Sequence, residues 1–269
     1  MKSADEIDNP GWSLLQRIPV PANYITWSDH GEEVFPHSET VPDDFRDHPA
    51  LSSSTFRVSD GRYVFWRSWF TSVFAWAIPS PKALDFIAET LDGRPLVEIG
   101  AGNGYWAWCL AQMGVDVVAY DRSPFGSPRS WFGGERFIER QMSWADQQRE
   151  FFPVQEGGPK VLRDHGDRVL FMCWPPYQGS MAAEALKAYG GDTCIFIGEW
   201  DGGCNADEEF WSMVRDGRTD DIWDDEADEY VSTDAQIAPQ SWRLETHQPI
   251  PKFEGLHDDI YVFKRLTDA

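Results

Sequence analysis

The chain has 269 residues and a formal net charge of −22, from 23 lysines and arginines against 45 aspartates and glutamates. Its length suits one large domain or one domain with an extension, and 42% hydrophobic with 25% charged residues excludes wholesale disorder and the fibrous classes. The apolar runs are too short for a membrane span, and the acidic N-terminus does not resemble a secretory signal. The negative charge disfavours nucleic acid as a partner but does not exclude it.

Cysteine usage indicates a reducing compartment. The four cysteines are unevenly spaced, and no two of them form the Cys-x-x-Cys pattern of a zinc site. We therefore expect free thiols, a cytoplasmic location and no metal site.

Residues 1–70 form the predicted N-terminal extension, and the first 65 of them lack an alternation of strand and helix patterns. They are rich in proline, serine and isolated aromatic residues. We expect an irregular extension that packs on a domain of residues 71–269 and covers its substrate.

From residue 80 onward, β-type runs alternate with helical patterns. Ser80 and Pro81 are typical of a helix start, and Gly93 ends that helix. The predicted strands are 96–99, 115–120, 152–155, 169–173, 193–198, 241–246 and 260–264, and the other predicted helices are 106–113, 159–163, 182–189 and 208–214. This alternation predicts an α/β fold with a mainly parallel sheet that is covered on both faces.

The acidic residues are concentrated in one segment. Residues 201–235 contain thirteen acids and two arginines, about half of the net charge. Residues 218–239 show neither a strand nor a helical period, which predicts a solvated surface insertion. Asp224-Asp225-Glu226 lacks the glycine and the alternating oxygen ligands of a calcium loop, so we do not interpret it as a metal site.

The glycine pattern after the predicted strand 96–99 is the most informative feature for function. Glu98 is followed by Gly100, Gly102 and Gly104, and Asp121 comes at the end of the next β-type run. The dinucleotide fingerprint Gly-x-Gly-x-x-Gly would need its third glycine at position 105, which is Tyr105. A nicotinamide cofactor is therefore disfavoured, and so is a turn without any ligand, since three alternating glycines and two acids are unusual for a turn alone.

Glu98-x-Gly100-x-Gly102-x-Gly104 with Asp121 resembles motif I and the following acid of class I S-adenosylmethionine-dependent methyltransferases. The resemblance implies a Rossmann-like sheet of seven strands, mainly parallel with the last strand antiparallel, and S-adenosyl-L-methionine as cofactor. It also implies cofactor-binding roles for Glu98 at the methionine part, Asp121 at the ribose hydroxyls, and the glycine turn. By the same resemblance, Trp76 covers the methionine end and Gly157 lies beside the adenine; plain core packing is an equal alternative for Trp76.

A second motif, Trp174-Pro175-Pro176-Tyr177, follows the strand 169–173. It resembles motif IV of amino-methyltransferases, in which the first residue is Asp, Asn or Ser. Trp174 has a hydrogen-bond donor and no acceptor, so only backbone carbonyls such as that of Cys173 remain to hold an amino group. We interpret Trp174 and Tyr177 as the floor of an aromatic substrate pocket, with a rigid turn as the alternative.

Two residues are candidates for acid–base chemistry. His257 has an intrinsic pKa suited to a general base and lies between the last two predicted strands, and Glu199 ends the strand 193–198. A solvated turn residue is the more common role for a lone histidine. No Ser or Cys nucleophile context is present.

Three functions remain open. The leading one is a methyltransferase acting on nitrogen or oxygen of a small aromatic or planar molecule. A methyltransferase acting on RNA, DNA or a protein side chain is the second, with a modest basic run as its only support (Arg122, Arg129, Arg136 and Arg140). The third is a catalytically inactive cofactor-binding module whose acidic insertion contacts a partner. The sequence does not predict the oligomeric state.

Overall fold

Seven strands form one mixed sheet. The computed structural model describes residues 2–17, 67–132, 134, 148–214, 221–224, 229–232, 241–251 and 256–266. The strands of the sheet are β1 (Leu96–Ile99), β2 (Val117–Asp121), β3 (Gln155–Glu156), β4 (Val169–Cys173), β5 (Thr193–Gly198), β8 (Trp242–Pro249) and β9 (Asp259–Arg265), and a separate pair contains β6 (Asp221–Asp224) and β7 (Glu229–Ser232). Their order across the sheet is β3-β2-β1-β4-β5-β9-β8.

Strand direction confirms the predicted fold class. The first five strands pair in parallel, while β9 is antiparallel to both β5 and β8. The last strand of the chain is therefore inserted antiparallel between two strands that run in the same direction. This is the mainly parallel, seven-stranded Rossmann-like sheet expected from the sequence.

Six α-helices accompany the strands in the described part of the chain. They are α1 (Pro10–Arg17), α2 (Arg67–Val73), α3 (Pro81–Leu91), α4 (Tyr105–Gln112), α5 (Met181–Ala188) and α6 (Glu208–Val214), with 3₁₀ turns at Ala4–Glu6 and Pro159–Asp164. The predicted start of α3 is confirmed, because the Ser80 hydroxyl accepts a hydrogen bond from the backbone N–H of Ala83 at 3.2 Å. None of these helices is long and apolar enough to cross a bilayer.

The core lies on both faces of the sheet because the strand side chains alternate. Leu96 and Phe171 pack with α3 and α4 on one face, whereas Val97 and Leu170 pack with α5 and α6 on the other. A parallel sheet buried on both faces requires nearly continuous apolar strands, and β4 and β5 have this composition. The prediction of helices on both faces is confirmed.

The acidic insertion differs from the prediction. Residues 218–239 were expected to lack strands, but Asp221–Asp224 pairs antiparallel with Glu229–Ser232. Each short strand contains one β-branched and one aromatic residue, types that favour strands. Two such residues among acids are too few to produce a recognisable alternation of apolar and polar positions.

The described part of the N-terminal extension, residues 2–17, is helical and packs on the domain. The Tyr105 hydroxyl accepts a hydrogen bond from the Gly11 N–H at 2.8 Å and donates one to Asn9 Oδ1 at 2.7 Å. Asn9 Nδ2 in turn donates to the Pro79 carbonyl at 2.7 Å. These hydrogen bonds join residues 2–17 to the domain, and the helix Pro10–Arg17 differs from the irregular structure expected for the extension. The rest of the extension up to residue 66 lies outside the described residues.

Candidate active site

The candidate residues lie along one edge of the sheet, at the carboxyl ends of the parallel strands. The register pairs Ile99 with Tyr120, Cys173 with Ile197, and Gly198 with Asp259. The residues at or next to these strand ends therefore form a row across the sheet: Asp121, Gly100, Trp174, Glu199 and Asp258. Open α/β sheets bind their ligands at this edge.

The glycine turn between β1 and α4 needs glycine for two reasons. Its three glycines have φ values of 78°, 59° and 76°, in the left-handed region. In addition, a Cβ on Gly104 would lie 2.9 Å from the Phe152 carbonyl oxygen, and a Cβ on Gly102 would lie 2.5 Å from the Phe132 ring. At both positions, the close neighbour is thus another part of the protein.

Asp121 links β2 to the glycine turn. Its Oδ2 accepts a hydrogen bond from the Gly102 N–H at 3.0 Å and its Oδ1 accepts one from the Ser123 N–H at 2.7 Å. Burial raises the pKa of Asp121, and these two hydrogen bonds and the nearby Arg122 oppose that rise. Each carboxylate oxygen keeps a second lone pair for a ligand.

Glu98, in β1 beside this row, is a buried carboxyl group with a strongly raised pKa. Its residue is only 2% exposed, and its Oε2 has no hydrogen-bond partner among the described residues. Its pKa is raised to about 8 in all: burial is the main cause, a hydrogen bond from the Ala107 backbone opposes the rise, and the negative charge of Asp121 adds to it. A buried acceptor without a donor fits a ligand that brings a positive group to it.

Three tryptophans form a cluster beside the end of β4. The Trp76 ring stacks on Trp174, with 5.6 Å between centroids and 27° between planes, and it contacts Trp131 at 5.6 Å and 46°. The loop that carries Trp76 is fixed to the domain, because the Asn103 amide donates to the Val73 carbonyl and the Trp106 indole N–H donates to the Ala77 carbonyl. The structure thus brings together Trp76 and Trp174, two residues predicted from separate motifs.

Sequence reasoning missed Trp131. It follows Asp121 by ten positions in a stretch without any periodicity, so no sequence signal connects it to the site. Only the turn after β2 places its ring on Trp76.

Trp174 and Tyr177 have different environments. The backbone N–H of Trp174 donates to the Ile197 carbonyl at 2.8 Å, which continues the pairing of β4 with β5 beyond the strand end. Trp174 is buried and has a left-handed φ of 51°, whereas Tyr177 is 60% exposed. The buried end of the motif joins the tryptophan cluster, and the other end faces solvent.

Glu199 and His257 are in contact, but the contact is made by the histidine backbone and not by its ring. Glu199 Oε1 accepts a hydrogen bond from the His257 N–H at 3.2 Å, and Oε2 accepts one from the Cys204 N–H at 2.7 Å. Asn205 adds two hydrogen bonds to the backbone of Glu199, at 2.6 and 3.0 Å. Glu199 therefore ties the loop after β5 to the loop before β9, while the His257 ring is exposed.

Gly157 lies next to Asp121. Its N–H donates to the Asp121 carbonyl at 2.9 Å, and a Cβ on it would lie 2.8 Å from the Tyr120 ring. The predicted adenine-side glycine is thus at the same edge of the sheet as the predicted ribose-binding acid.

The basic run is only partly described. Arg122 and Arg129 are exposed on the turn after β2, and Arg136 and Arg140 lie outside the described residues. Within the described ranges, His, Cys, Asp and Glu do not gather in groups of three that could hold a metal ion.

Comparisons with known proteins give structural neighbours only. No family model and no curated protein matches the chain. Solved structures that resemble it include a protein of the NADB-Rossmann superfamily from Streptococcus agalactiae, with 13% identity, a TM-score of 0.39 and 72% of each chain covered. Others are a magnesium protoporphyrin IX methyltransferase from Synechocystis with bound SAM (11% identity, TM-score 0.37, 69% of this chain and 79% of that one) and a methyltransferase from Streptomyces caelestis (13%, 0.36, 69% and 89%). These structures are too distant for their functions to be transferred to this chain.

Proposed function

We propose that the chain is an S-adenosylmethionine-dependent methyltransferase that acts on a nitrogen or oxygen atom of a small planar molecule. The observation that carries the proposal is Glu98, a buried carboxyl group with one unpartnered oxygen and a raised pKa, next to a left-handed glycine turn. An ammonium group is the natural partner for such an oxygen, and the cofactor's methionine part carries one.

The residues present fit this cofactor. We assign Glu98 to its ammonium group, Asp121 to its ribose hydroxyls, Gly157 to the adenine side and Trp76 to the methionine end. Gly100, Gly102 and Gly104 allow the backbone of the turn to approach it closely. The groups that face Gly100 and Gly102 are the side chains of Met181 and Phe132, which can shift on binding, whereas Gly104 faces the Phe152 backbone and keeps a structural role.

The chain's contribution to the reaction is positioning. S-adenosylmethionine supplies a methyl group on a sulfonium, and transfer requires the acceptor atom in line at about 3 Å. Trp174 would hold a flat acceptor against its indole ring. The hydrogen bonds of the Glu199 carboxylate to two loops favour a positioning role for Glu199, so the exposed His257 ring is the better candidate to take a proton from a hydroxyl or ammonium acceptor.

We also propose a cytoplasmic location. Cys109 and Cys194 are thiols buried in the core, outside any disulfide. Unpaired thiols of this kind are typical of a reducing compartment.

Calorimetry with S-adenosylhomocysteine tests the cofactor assignment. We expect measurable binding to the wild-type protein and none of NAD. Asp121→Ala should weaken binding by about 1–3 kcal/mol, because charge-assisted hydrogen bonds are lost. Asp167→Ala is the matched control, since this exposed residue precedes β4 at the opposite edge of the sheet. Binding of NAD instead, or equal affinity in both variants, would contradict the proposal.

A further inference from the structure

The tryptophan cluster (Trp76, Trp131 and Trp174) extends from the core to the surface. Trp174 is buried, Trp76 is half-buried and Trp131 is 39% exposed. Their rings follow one another at centroid distances of 5.6 Å. Indole faces carry a negative electrostatic potential, so they bind flat rings by stacking and cations by cation–π attraction.

A carboxylate lies directly after the strand next to this cluster. The backbone N–H of Trp174 donates to the Ile197 carbonyl of β5, and Glu199 follows Ile197 by two residues, just beyond the end of β5. Glu199 is 6% exposed, and each of its carboxylate oxygens accepts one backbone N–H. Because a carboxylate oxygen accepts two hydrogen bonds, both keep one lone pair for the donor of a ligand.

The charges around Glu199 have the same sign. Asp258 directly precedes β9, whose Asp259 pairs with Gly198 of β5, and it is 1% exposed. Burial and the negative charges of Asp259, Asp258 and Glu199 raise the pKa of Tyr261. Histidines also face this end: His247 Nδ1 is 3.5 Å from Asp259 Oδ2, and the His257 ring is exposed.

Two arginines of this sheet edge lie on the turn after β2. They are Arg122 and Arg129, both exposed, and β1 and β4 separate β2 from β5. The Glu199 end of the edge thus combines indole faces with several carboxyl groups.

Building on the proposed function, we infer that the methyl acceptor is a planar molecule that carries a positively charged amine. Its ring binds to the tryptophan cluster, and its ammonium group donates to Glu199. The same carboxylates repel an anionic planar acid. A neutral ring can stack on the indole rings but cannot donate a charged hydrogen bond to Glu199. These contacts recognise the acceptor in the same way whichever of its atoms is methylated.

Three indole compounds of different charge test this inference. Tryptamine is cationic at pH 7, tryptophol is neutral and indole-3-propionate is anionic, while the ring is the same. Calorimetric titration of each into protein saturated with S-adenosylhomocysteine should show tryptamine binding about tenfold tighter than tryptophol, with indole-3-propionate weakest. Equal binding of tryptamine and tryptophol, or tighter binding of the anion, would overturn it.

Two variants assign the preference to its residues. Glu199→Gln should reduce the preference for tryptamine to within about twofold and leave the affinity for S-adenosylhomocysteine unchanged. Glu89→Gln, which removes the same charge from an exposed position on α3, should keep the preference. Because Glu199 also holds two loops, Trp131→Leu is a second variant at an exposed position, and it should weaken tryptamine binding at least about threefold. A full preference in both Glu199→Gln and Trp131→Leu would contradict the assignment.

The same titrations separate this inference from the proposed function. If S-adenosylhomocysteine binds but the three indoles do not differ, the cationic acceptor is wrong and the methyltransferase proposal stands. If S-adenosylhomocysteine does not bind and the protein alone still selects tryptamine, the cation site stands and the methyltransferase proposal is wrong.

Discussion

Two buried glutamates at this edge of the sheet, Glu98 and Glu199, are held in opposite ways. In the half formed by β1 and β2, Glu98 is buried with an oxygen that has no donor among the described residues, and its pKa is raised to about 8. In the half formed by β4, β5 and β9, Glu199 is also buried, yet both of its oxygens accept backbone N–H groups. The first carboxyl group is incomplete without a ligand, whereas the second is already part of the framework.

This difference separates binding from positioning. A carboxyl group that remains neutral at pH 7 costs little while it is buried, and it ionises when a cationic ligand arrives. A carboxylate held by backbone donors keeps its place whether or not a ligand is bound, which is what an acceptor site needs for alignment. The same type of residue therefore serves two purposes at positions 98 and 199, and substitution by glutamine distinguishes them.

Glu98→Gln should show the largest effect, and it should stabilise the protein at alkaline pH. The pKa of Glu98 rises from 4.5 to about 8 on folding, so the unfolded chain releases a proton that the folded chain keeps. The free energy of unfolding of the wild type therefore falls as the pH rises from about 4.5 to about 8, because only the unfolded chain carries an ionised Glu98 in this range. The variant cannot ionise there, and its stability relative to wild type should grow by about 3–5 kcal/mol over this window.

Urea unfolding of both proteins at pH 5 and pH 8 measures this change. Glu89→Gln, at an exposed position, controls for loss of a surface charge and should follow the wild-type pH profile. Parallel pH profiles for wild type and Glu98→Gln would mean that Glu98 is ionised in the folded protein, and the contrast between Glu98 and Glu199 would disappear.

Glu199→Gln should have the opposite sign. The amide offers one oxygen where two backbone N–H groups, those of Cys204 and His257, now bind. One buried donor loses its partner, and the other loses a charge-assisted bond. We expect destabilisation by about 3 kcal/mol, measured by urea unfolding at pH 7. Stability equal to wild type would show that the two loops do not depend on Glu199.

The sequence could predict the first half of the edge better than the second. The left-handed φ values of Gly100, Gly102 and Gly104 are set locally, and Asp121 comes at the end of a recognisable strand, so these residues stand out in the sequence and carry the resemblance to motif I. The role of Glu199 depends instead on two loops that are brought together by the position of β9 between β5 and β8. The contact joins Glu199 to His257, which are 58 residues apart in the chain. Trp131 joins the site through one turn without a pattern, and the β6–β7 pair arises from four-residue strands within an acidic segment, so neither could be read from periodicity.

His257→Ala should have the smallest effect on stability, which makes it the sharpest test of how Glu199 holds its loop. The atom that Glu199 binds is the backbone N–H of His257, and alanine retains it, while the lost imidazole is exposed. We therefore expect a change within about 0.5 kcal/mol in urea unfolding, in contrast to the destabilisation caused by Glu199→Gln. If the imidazole takes a proton from the acceptor, methyl transfer should fall while S-adenosylhomocysteine binding is unchanged. A large loss of stability in His257→Ala would instead mean that the imidazole ring, and not only the hydrogen bond from the His257 backbone to Glu199, holds the loop before β9.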